Sequence, residues 1–354
     1  MFKHPGVVLN MSFSSELRVR FGKVRAVMRG EGVQALYSSD EAALRYLTGK
    51  DTGRLLVTGS GAVLWVKGVY RELYAGTYGS SGYPVEVREY DKDAVKDYLR
   101  GLGVRVLGVS SPALVDAGRK ASRARVVVSD AVKLARAVKT KEEVRLIRKS
   151  CRIAAAGMRK AAGVVAEGVR ELDAVAEIEA ELRRRGSEAA PFGHGMLLSS
   201  GAGSADIHAN PSARRIGRGP VVVDLGATYG GYYSDMTRTF GVGPLTRQER
   251  DVIVLVRRLR DDTIRMVRPG MLASTVHRSV ELAITEAGFR FHHLSGHGVG
   301  LEIHEHPSFS PDNRVRLRPG MVFTVEPGIY LPGRFGVRFE DTVLLTRRGC
   351  VKLT

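Results

Sequence analysis

The segment VVVDLGATYGGYYSDMTRTF, running from Val221 to Phe240, constrains this chain more than any other. Two strand-like runs meet at Gly230-Gly231, a two-residue connection that signals a tight hairpin. If Tyr229 pairs with Tyr232, Asp224 falls opposite Thr237 and Asp235 becomes its diagonal neighbour. Side chains alternate along a strand, so residues 235 and 237 share a face. Both carboxylates then project from one side, with Cβ atoms roughly 7–8 Å or less apart. Two acids held so close suit a shared pair of metal ions. Thr237, on the same face, is placed to hydrogen-bond a ligand carboxylate.

The C-terminal stretch follows the same logic. MVFTVE and GVRFEDTVLLT each alternate apolar and polar positions, as a strand with one wet face does. Pro327, Pro332 and glycines 328, 333, 336 and 349 supply turns. Glu326 ends the first strand. Arg338 and Glu340 are two apart on the second, so they point to one side. The arginine is then free to bind a substrate carboxylate bidentately, or to steady Glu340. In SGHGVGLEIHEHP, His297 stands between glycines that let neighbours approach closely, and His304 is the further histidine expected to enter the site.

Asp224, Asp235, His297, Glu326 and Glu340 together offer four carboxylates and one imidazole. Two divalent cations need such a set, and bridging carboxylates offset their mutual repulsion. Oxygen-rich ligation with one nitrogen suits Mn²⁺, Co²⁺ or Zn²⁺. A site of this type turns bound water into a nucleophile at neutral pH. The chain reads as a metallohydrolase.

The segments DLGATYGGYYSDMTRTFGVG, SGHGVGLEIHEHP and RPGMVFTVEPGIYLPGRFGVRFED, in this order, resemble the proline-peptide branch of the pita-bread metallopeptidases. That branch comprises Xaa-Pro dipeptidase (prolidase) and aminopeptidase P, and the resemblance covers roughly residues 139 to 349. It implies that Asp224 chelates the first metal and Asp235 bridges both. His297 and Glu326 would bind the second, with Glu340 bridging. It also implies two divalent ions per chain, Mn²⁺ or Co²⁺ ahead of Zn²⁺ or Fe²⁺, and attack by a hydroxide held between them. The family's remaining histidines fall on His208 and His304, as catalytic and substrate-binding groups, and its active-site arginine falls on Arg338. Glu326 would also shuttle the proton. Ile207 precedes His208 where the family commonly has proline. The implied substrate is a proline-containing peptide, an Xaa-Pro dipeptide ahead of the longer substrates of aminopeptidase P, and the implied assembly is a homodimer. A non-catalytic binding protein of the same shape would normally have lost ligands, and none is lost here. Creatinase is disfavoured for the same reason. Methionine aminopeptidase shares the five ligands but not the VRFED ending or the GIYLPG turn.

A chain of 354 residues exceeds one ordinary domain. Thr140 and Glu143 form a capping box, followed by an apolar stripe at Val144, Ile147, Cys151, Ala154 and Met158. A long helix therefore opens a pita-bread catalytic domain over 136–354. Upstream, over 1–135, strand-like runs (ALYSS, RLLVTG, GAVLWV, PVEVREY, RVLGVS, ARVVVS) interleave with helical ones, an α/β reading with a mixed or parallel sheet. This part resembles the creatinase-like N-terminal domain of prolidases. MFKHPGVVLN carries little pattern, which leaves Met11 as an alternative start.

The net charge of +18 invites a nucleic-acid reading. The excess is spread evenly on either side of residue 138, and no nucleic-acid-binding signature accompanies it, so no specific nucleic-acid partner is expected. The run RRR at 183–185 is a solvated helix face. Few Asn and Gln beside many charges suggest a thermophile. Cys151 and Cys350 are far apart without metal spacing, and Cys151 lies on the apolar stripe. No signal peptide or long apolar run is present, so a cytoplasmic protein without a membrane partner is expected.

Overall fold

The computed structural model describes residues 11–79 and 85–354. The stretch MFKHPGVVLN, and with it the question of the start, lies outside them. The chain falls into two units, Met1–Arg136 and Ala137–Thr354.

In the first unit the elements run α1 (Met11–Gly30), β1 (Ala35–Ser38), α2 (Glu41–Thr48), β2 (Arg54–Thr58), β3 (Ala62–Val66), α3 (Val69–Gly79), β4 (Val85–Glu89), α4 (Lys92–Gly101), β5 (Val106–Val109), α5 (Val115–Ala121), β6 (Arg125–Val128) and α6 (Ala131–Ala137). The strands form a mixed sheet in the order β4-β3-β2-β1-β5-β6. The β1–β2 and β2–β3 pairs are antiparallel, and the β1–β5, β3–β4 and β5–β6 pairs parallel. Apolar side chains from the sheet and α4, including Tyr37, Leu56, Trp65, Val95 and Leu99, make its core. Asp40 and Asp91 start α2 and α4, each carboxylate accepting a backbone N–H from the first turn. Helix α3 was not legible in the sequence. It turns Tyr74 and Tyr78 inward while leaving Val69 and Leu73 exposed, so no apolar stripe marks its period.

The second unit continues with α7 (Lys141–Val164), α8 (Glu171–Arg184), β7 (Leu197–Ser200), β8 (Gly219–Tyr229), β9 (Tyr232–Val242), α9 (Arg247–Met266), α10 (Ala273–Glu286), β10 (His297–Gly298), β11 (Glu305–Ser308), β12 (Val322–Val325), β13 (Gly328–Leu331), β14 (Phe335–Arg338), β15 (Asp341–Thr346) and β16 (Gly349–Lys352). Its strands group as β7-β8-β9, β11-β10-β12-β15-β16 and β13-β14. The capping box of Thr140 and Glu143 is present. Ile147, Cys151, Ala154 and Met158 are buried, and Val144 is half-buried. Helices α7 and α8 pack on the β8–β9 hairpin through Ala154, Met158, Ile178, Leu182, Val223, Leu225 and Met236. Helices α9 and α10 contribute Ile264 and Val276 to a second core shared with Phe323 and Val343. The segment just after the first unit belongs to this body. Val138 bridges Met321, and Lys139 Nζ makes a buried ion pair with Glu305 Oε2 at 2.9 Å. Among the described residues no helix is long and apolar enough to cross a membrane.

The hairpin takes the predicted register, with Tyr229 opposite Tyr232 and Asp224 opposite Thr237. Gly230 and Gly231 have φ of 60° and 76°, the left-handed conformation such a turn requires. Their N–H groups both donate to the Glu188 carboxylate, at 2.8 and 2.9 Å. The expected single strand GVRFEDTVLLT is instead two. Residues 335–338 pair with β13, and 341–344 pair with β12. The chain changes partner at Phe339-Glu340, because Glu340 N donates to Thr237 O across on β9 at 3.0 Å.

Close strand contact inside the hairpin generates a stability prediction. A Cβ on Gly226 would lie 2.1 Å from the carbonyl oxygen of Ser234, a backbone atom that cannot step aside. Gly226→Ala should cost about 2 kcal/mol or more, read as a lower denaturant midpoint for the full chain. An unchanged midpoint would mean that the strands separate there without penalty.

Candidate metal centre

Each sequence-selected donor is set on a different piece of backbone. Asp224 and Asp235 come from β8 and β9, His297 opens β10, Glu326 follows β12, and Glu340 occupies the break between β14 and β15. Glycines make the His297 position possible. A Cβ on Gly296 would meet Thr324 O at 2.1 Å, and one on Gly298 would meet His306 O at 2.5 Å. Thr324 joins two donors, accepting from His297 N at 3.1 Å and donating to Glu326 Oε1 at 3.3 Å.

The structure brings the five together. His297 Nε2 lies 3.5 Å from both Asp235 Oδ2 and Glu326 Oε1. Asp235, His297 and Glu340 each offer a ligand atom, all within 4.8 Å of one another. Thr237 donates to Glu340 Oε2 at 2.7 Å, the carboxylate contact that the hairpin register predicts. Asp224, Asp235 and Glu340 each keep one buried oxygen, Oδ1, Oδ1 and Oε1, without a protein donor. Buried acceptors left this way are costly unless something positive faces them. Burial, with Asp224 and Glu326 nearby, pushes Asp235 well above the ordinary carboxylate range. Burial, Asp235 and Glu326 do the same to Glu340. Burial also raises Glu326, against the opposing pull of His297 and Arg338. Unmatched oxygens, crowded negative charge and one imidazole fit divalent cations.

Arg338 is not free to take a substrate carboxylate in this arrangement, and it is committed to Asp224 rather than to Glu340. Nη2 donates to Asp224 Oδ2 at 2.6 Å and Nε to Thr237 Oγ1 at 3.1 Å. Nη1 donates to the Tyr330 hydroxyl at 2.9 Å and to Ile207 O at 3.2 Å. One shell further out, the buried Asp341 meets Arg238 at 2.6 Å, Lys352 at 3.0 Å and Arg260 at 3.2 Å.

A cavity of about 860 Å³ opens onto His297 and Glu326. His208 and His304 are exposed on its wall. The His304 ring stands edge-on to His297 with centroids 4.2 Å apart. Its partial burial and the His297 ring lower its pKa to about 4. The sequence reading missed His293 and Tyr330. His293 lines the same wall, with Nε2 3.1 Å from the Tyr330 hydroxyl and Nδ1 3.9 Å from Glu326 Oε2. Burial and Arg338 lower its pKa to about 3, which keeps it neutral. The histidine-rich run HHLSGH was the available signal for it. Tyr330 carried none, since its relevance depends on a contact made across the fold.

Comparison with known proteins agrees with this geometry. The profile of metallopeptidase family M24 matches residues 145–347, and that of the creatinase/prolidase N-terminal domain matches residues 20–147. The Xaa-Pro dipeptidase of Pyrococcus furiosus is 34% identical, over 96% of this chain and 98% of its own. The structure of an Xaa-Pro dipeptidase from Bacillus anthracis superposes with a TM-score of 0.87 at 28% identity, covering 96% of this chain and 97% of that one. An X-Pro aminopeptidase from Thermotoga maritima gives 0.82 at 28% identity, covering 94% and 97%.

The Thr237 contact can be tested through metal binding alone. Thr237→Val removes the hydroxyl that donates to Glu340 while keeping a β-branched side chain in the strand. Divalent-metal affinity should fall by about 10- to 100-fold, the usual consequence of losing a hydrogen bond to a ligand carboxylate. Competition against a chromogenic chelator measures this, and equal affinity would show that Glu340 needs no such support.

Proposed function

The chain belongs to metallopeptidase family M24, with a pita-bread catalytic domain behind a creatinase/prolidase N-terminal domain, and from that premise we propose that it hydrolyses Xaa-Pro dipeptides. The observation that carries this reading is the convergence of five metal-type donors, three with unmatched buried oxygens, beside one cavity. The domain limits, near residue 136, and the individual site roles are part of the proposal. Asp224, Asp235, His297, Glu326 and Glu340 would hold two divalent ions, Mn²⁺ or Co²⁺ in preference to Zn²⁺ or Fe²⁺. Ions bound there supply Lewis acidity toward water and toward a peptide carbonyl.

The chain's own residues do the rest. Arg338 holds Asp224 in place, and Thr237 holds Glu340. Glu326 carries the proton to the proline nitrogen as it leaves. His208 and His304 face the substrate from the cavity wall and donate to its oxygens, while His293, its Nδ1–H donated to Leu294 O, accepts from the Tyr330 hydroxyl and lines the wall beside them. A site of this kind suits the Xaa-Pro bond. That bond is a tertiary amide without an N–H, so an enzyme that grips extended backbone through N–H groups loses a contact there. A homodimeric state rests on the family resemblance, a cytoplasmic location on the sequence pattern, and thermophily on composition.

A second reading, release of the first residue from longer peptides, is favoured by the likeness to an X-Pro aminopeptidase. With Arg338 committed to Asp224, length selection falls to His208 and His304. An imidazole N–H donating to a charged terminal carboxylate contributes about 1.5–3 kcal/mol, or roughly 10- to 150-fold. The dipeptide should therefore exceed its one-residue extension in kcat/KM by about that factor when Co²⁺ or Mn²⁺ is supplied. A preference for the longer peptide would transfer the assignment to the aminopeptidase.

Chelation should abolish activity, and Co²⁺ or Mn²⁺ should restore it. Asp235→Asn and Glu340→Gln should cost most. Full turnover by a metal-free preparation would remove the basis of the assignment. His208→Ala and His304→Ala should each lower kcat by about 10²–10³-fold with metal content unchanged. Loss of bound metal in either variant would instead make that histidine a ligand.

A further inference from the structure

Glu171, at the first position of α8, is a buried carboxylate outside the metal centre, only 1% exposed. Its oxygens divide between two serines that stand at either end of one loop. Oε1 accepts from Ser200 N at 3.0 Å and Ser200 Oγ at 2.8 Å. Oε2 accepts from Ser212 N at 3.0 Å and Ser212 Oγ at 2.7 Å. The backbone of α8 reinforces one side, since Glu171 N donates to Arg214 O and Leu172 N to Ser212 O.

The loop closed in this way carries His208. Its body is fastened at two further points. Gly336 N donates to Ser204 Oγ at 2.8 Å, and Arg338 Nη1 donates to Ile207 O at 3.2 Å. The second fastening uses the guanidinium that holds Asp224. His208 itself is exposed, and its backbone N–H donates to Asp206 within the loop. Nothing among the described contacts of its own side chain fixes its place, so its position is inherited from the loop.

We propose that Glu171 is a positioning residue for the reaction: its carboxylate clasps residues 200 and 212 and thereby sets His208 on the cavity wall. The inference rests on the reading of His208 as a substrate-facing group. A carboxylate is the acceptor this neck requires, because four donors converge on it and none of its positions calls for a hydrogen. Glutamine would turn an NH₂ group toward the N–H and O–H of one serine, opening one half of the clasp. A misplacement of about 1 Å at a group facing substrate can cost up to about 10²-fold in rate.

Glu171→Gln is the test, using the metal-loaded full chain. Amides of residues 201–210 should exchange at least about tenfold faster, with α7 and the β8–β9 hairpin unchanged. Turnover of an Xaa-Pro dipeptide should fall about 10- to 100-fold at constant metal content. In a His208→Ala background the same substitution should cost less than about twofold, because both changes remove one function. Unchanged loop exchange, or fully multiplicative losses in the double variant, would overturn the proposal. If Glu171→Gln does not fold, Ser212→Ala removes one of the four hydrogen bonds and is read by the same exchange and double-variant measurements. Should His208→Ala keep full activity, the role given to His208 fails, and loop exchange alone then decides the clasp.

Discussion

Four carboxylates enclosed in one small volume repel one another, and the surrounding structure is organised around that repulsion. Desolvation makes it worse, which is why Asp235, Glu340 and Glu326 bind protons more readily than free acids do, Asp235 and Glu340 far more so. The protein supplies part of the compensation itself. Arg338 is spent on Asp224, and two threonine hydroxyls are spent on Glu340 and Glu326. A second layer repeats the pattern around Asp341, where three cations meet one buried acid. The remainder is left to bound cations, so affinity for divalent metal is the counterpart of instability in their absence.

That demand explains the use of strands from three sheets. A single strand offers one face at a fixed repeat and cannot converge five donors on a point. The hairpin supplies two acids through its register. The crossing at Phe339-Glu340 supplies another by leaving one sheet for the next, and the glycines beside His297 let β10 come close enough to contribute an imidazole.

The local parts of this arrangement were legible in the sequence. Gly230-Gly231 determined the pairing of Asp224 with Thr237, because turn chemistry and alternation are both local rules. The capping box at Thr140 was legible for the same reason. Contacts across the fold were not. The pattern of GVRFEDTVLLT is continuous, and only the competing partners β12 and β13 split it. Arg338 could be placed on the correct side, yet its commitment to Asp224, 114 residues away, has no signature in spacing. His293 and Tyr330, 37 residues apart, become a pair only where the segment before β10 meets strand β13. Helix α3 carries no apolar stripe, because Val69 and Leu73 lie on its exposed side.

The ion pair of Lys139 with Glu305 has a consequence for how this protein can be cut. Profile similarity to the catalytic family begins at residue 145, which suggests a natural place to excise the second unit. The structure puts the true edge earlier. Val138 forms a bridge to Met321, Lys139 N donates to Gly320 O, and the Lys139 ammonium lies buried against Glu305, the neighbour of His304. An excision at 145 would withdraw that ammonium and the capping box together. Removing one partner of a buried pair costs about 3–5 kcal/mol, and the damage would fall on the strand that follows a histidine of the cavity wall. Residues 137–144 join the two units in sequence, but physically they are the first layer of the catalytic core.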